Sequence, residues 1–200
     1  MKFEVVAIPE LRMAMSAMAK KDVRYYLNGV LFDLKSFQDT DSMVENVPLV
    51  ATNGHVIIDS PINLTNHSGL PFGKDLILFV DGIIPKTAFR GVFDVKEYGH
   101  GTLTLYKENA NDPMKIIPVS MIDGKFPNYQ QVMDVKGYKD VDEVSFNPIF
   151  LSDIVNASGV KWSGIRMKFS NQDTNDLLVV EIQDFPKTKV GLMPMRFGAD

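Results

Sequence analysis

Short runs in which apolar and polar residues alternate recur along this chain, and three of them end at a proline followed by helical spacing. The copies are Phe3-Glu4-Val5-Val6-Ala7-Ile8-Pro9, Leu76 to Pro85, and Val144-Ser145-Phe146-Asn147-Pro148. Proline suits the first turn of a helix, because its missing N–H would find no intrahelical acceptor there. Strand-like sequence follows each predicted helix, so the unit recurs at about 65–75 residues, longer than the common solenoid periods of about 20–50. The pattern predicts an α+β chain in which one helix-plus-sheet module is used repeatedly, its helices gathered on one face.

In the first unit Leu11, Ala14, Met15 and Met18 fall at helical spacing and should face the sheet. That leaves Arg12, Ser16 and Lys20 four apart on another side. Arg24 to Leu34 reads as a strand, with Tyr25-Tyr26-Leu27 suited to a pleated surface, and Lys35 to Val47 as a polar loop. Leu49 to Thr52 and Val56 to Ile58 read as strands joined at Asn53-Gly54, a hairpin signal because both residues tolerate positive φ. In the second unit Pro85 opens a short predicted helix with Phe89 and Phe93 on one side and Lys86 and Arg90 on another. Leu103 to Tyr106 and Met114 to Met121 follow as strands, and Asp123 to Tyr129 as a turn. In the third, Asn147 is the expected N-cap, with Phe150, Leu151, Ile154 and Val155 as the apolar helix face. Ile165 to Phe169, Leu177 to Ile182 and Val190 to Met195 read as its strands. The connection from Asp134 to Asp142 is the best boundary.

Composition narrows the classes. At 200 residues the chain has room for one large domain or two small ones. An apolar fraction of 45% with 13 Phe and 11 Met is ample for a core and argues against global disorder. No apolar run approaches the about 18 residues of a membrane span, so no membrane role is expected. The absence of cysteine excludes disulfides and thiolate metal sites and fits a reducing, cytoplasmic setting. A net charge of −4 argues against a wholly basic nucleic-acid binder and leaves room for a local basic surface.

Catalytic chemistry finds no support. Ser158-Gly159 and Ser163-Gly164 lack the setting of a nucleophile elbow, and Gly99-His100-Gly101 is too short for a dinucleotide loop. His55, His67 and His100 lack the spacing of a helical zinc pair, and the acidic residues are scattered singly. No catalytic residue, metal or cofactor is expected. An enzyme with a composite acidic site assembled only by the fold is the remote alternative.

Five fragments, in order, resemble one family. They are Asp22 to Phe32, Val50-Ala51-Thr52-Asn53-Gly54-His55, Asp123-Gly124-Lys125-Phe126-Pro127-Asn128-Tyr129, Phe146-Asn147 with Leu151 to Ala157, and Leu192-Met193-Pro194-Met195-Arg196. Together they resemble the middle and last domains of the bacterial DNA sliding clamp, the β subunit of DNA polymerase III. The resemblance implies a DNA-clamp fold: residues 1–133 form a complete domain of two half-units, about 1–65 and 74–133, and residues 134–200 the closing half of a second. Family rings hold twelve such halves, so three per chain imply four chains and a homotetrameric ring; a trimer or dimer stays open. Whether the unpaired half meets a neighbour's half or packs on its own chain also stays open. A shortened, divergent clamp suits a phage or mobile element.

The implied function is a processivity factor that encircles double-stranded DNA without reading sequence and tethers DNA polymerase and clamp-loader peptides. In such rings the helices line the hole, and their cations face phosphates. That implies DNA-binding roles for Arg12, Lys20, Lys21, Arg24, Tyr25 and Tyr26, then for Lys86 and Arg90, with Lys161 beyond a third helix that carries no cation. For each cation an ordinary solvated face is the competing reading. The partner-peptide pocket would have Leu27, Thr52, Gly54, His55 and Ile57 as one wall. Asn147, Phe150, Leu177, Leu192, Met193, Pro194, Met195 and Arg196 would form the other, unless Leu192, Met193 and Met195 are core residues of a terminal strand. Val56 stands where the family has a basic residue, so the partner peptide can differ. A non-ring adaptor that keeps the pocket is the alternative.

Overall fold

β1 (Lys2–Val5) leads into α1 (Ile8–Ala17), followed by β2 (Val30–Asp33), β3 (Val44–Thr52) and β4 (Val56–Ser68). Next come β5 (Asp75–Val80), β6 (Arg90–Val95), β7 (His100–Tyr106), β8 (Lys115–Ile122) and the short α2 (Tyr129–Met133). β9 (Tyr138–Lys139), α3 (Pro148–Ser158), β10 (Ile165–Ser170), β11 (Leu178–Ile182) and β12 (Phe185–Leu192) complete the order. The structure is a computed structural model that describes residues 1–39, 43–161, 163–171 and 177–196.

All strand pairings are antiparallel, and the first eight strands close on themselves. The order β1-β6-β7-β8-β5-β2-β3-β4 returns to β1 through the pairs Glu4↔Thr65 and Val5↔Leu64. Closure removes the open edges that such strands would otherwise present. β4 is long enough to serve twice: its far end pairs with β1, while Val56 to Asp59 pair with Leu192 to Lys189 of β12. From β12 the sheet continues through β11 and β10 to β9.

Period-two alternation then sorts side chains to two faces. Val30 and Phe32, Leu49 and Ala51, Val56 and Ile58, and Leu76 and Leu78 point into the main core with α1. Their neighbours Leu31, Val50, Ile57 and Ile77 point the other way and are covered by Phe126 and Tyr129. At the centre of the main core Phe3, Phe32 and Phe93 are fully buried, with ring centroids 4.7–5.7 Å apart.

Two of the three predicted helices form. Asn147 caps α3 by accepting from the Ile149 N–H at 3.0 Å, Pro148 opens it, and Gly159 ends it at φ +83°. Leu11 and Ala14 are buried as expected, whereas Met15 and Met18 are only half-buried. No helix forms at Pro85. β6 begins at Arg90, and the few residues between cannot offset the cost of a helix nucleus. They turn instead, with the Ala88 N–H on the Pro85 carbonyl and the Phe89 N–H on the Tyr106 carbonyl.

The expected strand from Arg24 to Leu34 is also shorter. Asp22 accepts from the Arg24 N–H and exchanges two hydrogen bonds with Asn28, winding Tyr25–Asn28 into a 3-10 turn before β2 starts at Val30. The polar stretch from Lys35 becomes strand already at Val44, and residues 40–42 lie outside those described. Val190 to Met195 also divides: β12 ends at Leu192. Among the described residues no helix is long and apolar enough to cross a membrane.

Candidate functional site

A cleft of about 280 Å³ opens where three parts of the chain converge. The β3–β4 turn supplies Thr52, Gly54 and His55; the segment before and through α2 supplies Phe126 to Tyr129 and Val132; Leu177, Gly191 and Met193 face them. The turn is built for exposure of its backbone. Asn53 Oδ1 accepts from the N–H groups of His55 and Val56, Thr52 Oγ1 accepts from the Gly54 N–H, and Gly54 sits at φ +90°. Only Gly54 takes the left-handed conformation; Asn53 contributes its side chain instead. Gly191 is needed for a different reason. A Cβ there would lie 2.8 Å from Leu177 and 2.9 Å from Ile57, so its absence lets the two floor residues approach.

The α2 wall is held from below. The Tyr129 hydroxyl donates to Asp33 Oδ2 at 2.9 Å, both residues being buried. Burial, reinforced by the Asp33 carboxylate, raises the Tyr129 phenol well above its ordinary value, so it stays a donor. At the mouth, the Arg24 guanidinium lies over Gly54 and grips Asp22 through Nε (3.0 Å) and Nη2 (2.8 Å). Those bonds pull the Asp22 carboxyl down to about 2. The result is an apolar slot with a cation at its lip, suited to an extended apolar segment. A roomier hollow of about 530 Å³ beside Met1 and residues 94–98 is more open to solvent and lined by mixed charges.

Leu27, Thr52, Gly54, His55, Ile57, Leu177 and Met193 all line the cleft. Leu192 does not: it is 1% exposed and packs in the main core, because alternation turns it away from Met193. Asn147 is occupied as the α3 cap. Phe150 lies beside the cleft with its ring stacked on His55, centroids 5.8 Å apart. Beyond it Met193 and Met195 donate their N–H groups to the carbonyls of His55 and Ser145, which lays out a ledge of half-buried Pro194 and exposed Met195 and Arg196. Sequence reasoning placed Arg24 elsewhere and missed Phe126, Pro127, Asn128, Tyr129, Val132 and Gly191 as lining. The Asp123–Tyr129 motif was the available signal for most of them.

The expected cationic surface divides. Lys20, Lys21, Lys86 and Lys161 are exposed, as is Tyr25; Tyr26 is half-buried and packs edge-on to Tyr25, 5.8 Å away. Arg12 is not on a solvated stripe. It is 8% exposed, and its guanidinium donates to the carbonyls of Ala157 (2.7 Å), Ser158 (2.9 Å) and Pro85 (3.2 Å). The negative end of the α3 dipole therefore receives the charge, and α1 is bonded to both other units. Burial lowers the Arg12 pKa, an effect that nearby Glu10 opposes. Arg90 belongs to β6, not to a helix. Its guanidinium sits 3.9 Å over the Tyr106 ring and 3.8 Å from Glu4, already engaged within the fold.

No protein-family model matches the chain, and no curated protein does. Solved structures do. A DNA polymerase sliding clamp from Pseudomonas aeruginosa aligns over 98% of this chain at 19% identity with a TM-score of 0.54. The fold is that of a bacterial DNA sliding clamp. A clamp from Bartonella birtlesii, bound to griselimycin, aligns over 98% of the chain at 17% identity and a TM-score of 0.55. The clamp from Borrelia burgdorferi, in complex with a natural product, aligns over 99% at 14% identity and 0.57. The chain spans about two thirds of the length of these clamps, 66%, 66% and 65% respectively.

Proposed function

We propose that the protein is a DNA sliding clamp, a non-enzymatic processivity factor that encircles duplex DNA and tethers polymerase and loader through a short apolar peptide in the cleft. The observation that carries this reading is the cleft itself: an apolar slot formed by motif residues of the clamp family, in a chain with the clamp fold. That two clamps of this fold were solved with griselimycin and another with a natural product supports a ligand-accepting site. Residues 1–133 act as one complete clamp domain and 134–200 as the closing half of another, with helices toward the hole and sheets on the rim. Four chains complete the ring. Lys20, Lys21, Lys86 and Lys161, with Tyr25 and Tyr26, face the DNA backbone, while Arg24 serves the mouth of the cleft, and topological linkage raises the partner's effective concentration at the primer end. No cofactor takes part.

The test is retention on circular DNA together with binding of a short Leu/Phe-rich peptide in solution. Retention that is lost when the circle is linearised, with peptide binding abolished by a cleft substitution, is the expected result; a protein that stays on neither DNA form fails as a ring. The adaptor reading gains from one observation, the withdrawal of Arg12 and Arg90 from the surface, which thins the cationic lining. Peptide binding without DNA retention would select it.

A further inference from the structure

The three units differ at one position where they ought to be alike. In the first eight strands each unit lends its opening strand to the other: β1 pairs with β6, and β5 with β2. The residues opposed there are Phe3↔Phe93 and Leu76↔Phe32, all four buried. Phe93-Asp94 and Phe32-Asp33 mark the same point of the repeat, and their rings meet at 5.7 Å across the seam. In the third unit the corresponding aromatic is Phe169, followed by Ser170. Its opposed residue is Lys139, on β9 of the same unit. The Lys139 ammonium, not a second ring, lies over Phe169, 5.0 Å from its centroid, and the Phe169 side chain stays half-buried.

The rest of this seam is bare. β2 is paired along all four residues, but β9 covers only Phe169 and Ser170, and among the described residues no strand lies beside Ile165 to Lys168 on that edge. Ile165 is 42% and Met167 36% exposed, where every residue of β2 is buried. Tyr138, Val141 and Val144 are exposed next to them around a hollow of about 390 Å³. An open strand edge flanked by apolar side chains is a template for another strand. Of the two cations on this strand, Lys168 is held by Glu181 of its own unit at 2.7 Å, and Arg166 reaches the same carboxylate at 3.5 Å, which offsets one of the two charges.

We propose that this seam is a self-association surface whose occupant is the third unit of a second copy of the chain. The two meet about a two-fold axis as the first two units meet, with β9 of each copy crossing to pair along β10 of the other. Exchange of an identical element is a low-cost route to a symmetric pair, because each copy gives up the pairing that it regains. This deepens the ring reading, on which it rests, by naming one of its joints, yet stands apart from DNA: a pair that never holds DNA would sink the ring and leave the joint intact.

The chain has no cysteine, so introduced thiols report on this seam alone. Oxidised Lys139→Cys/Phe169→Cys is expected to give an interchain disulfide, because the opposed positions then lie on different copies. Met167→Lys and Ile165→Lys, at exposed positions, are expected to halve the sedimenting mass and remove the concentration dependence of the melting midpoint while leaving peptide binding unchanged. A disulfide confined to single chains, a mass unaltered by either lysine, or a wild-type monomer at every soluble concentration would overturn the proposal.

Discussion

Tyr129 and Asp33, both buried, share one hydrogen bond beneath the cleft. Removing the hydroxyl leaves a buried carboxylate oxygen without its donor, so Tyr129→Phe should cost about 1–3 kcal/mol in denaturant unfolding. Asp33→Asn in the same background should recover part of that, since an amide carries less charge to desolvate. Asp59 tests the opposite sign. Burial raises its pKa, which Lys189 across the β4–β12 pairing only partly offsets and the Asp33 charge reinforces. A carboxyl raised in the folded state binds its proton more tightly there than when unfolded. Its contribution is therefore best below the ordinary carboxylate range and declines as pH climbs toward the folded value. Asp59→Asn should melt higher than the parent at neutral pH and lose that advantage in acid, as followed by thermal melts at both.

At the scale of elements, α3 and the second predicted helix carried the same proline signal and met different fates. Asn147 ahead of Pro148 supplies a cap, and enough residues follow for three turns; Asn147→Ala should lower stability by about 1 kcal/mol in a thermal melt. Pro85 has neither, and the alternation of Gly91, Phe93 and Val95 claims the chain for β6. The Arg24–Leu34 strand misled because its apolar content was right while the Asp22–Asn28 bonds, invisible to periodicity, wound its first half into a turn. The cleft was half legible for a related reason. Leu27, Thr52, Gly54, His55 and Ile57 were read as one wall from their motifs; Phe126 and Tyr129 sit in a motif too, yet become a wall only by packing on strands distant in sequence. Met193 is 45% exposed at the rim, so Met193→Glu should weaken peptide binding about tenfold or more without moving the melt, read by fluorescence anisotropy.

For the whole molecule, electrostatics decides whether a protein of net charge −4 can hold a polyanion. Reversing Lys20, Lys21, Lys86 and Lys161 to Glu should abolish DNA retention with peptide binding intact. Single reversals should flatten the salt dependence, the log–log slope falling by about 0.9 for each phosphate no longer neutralised. The junction of β4 with β12 carries a further consequence. Val56 to Asp59 acquire their second neighbour only from β12, the last of the described strands, which is synthesised after β5 to β11, whereas β3 directly precedes β4. Until then Val56-Ile57-Ile58 is a naked apolar border on a nascent domain, the kind of sequence that recruits other unfinished chains. Asp59 ends that border, and its charge, which burial disfavours once β12 has docked, stands where a gatekeeper charge would oppose such recruitment.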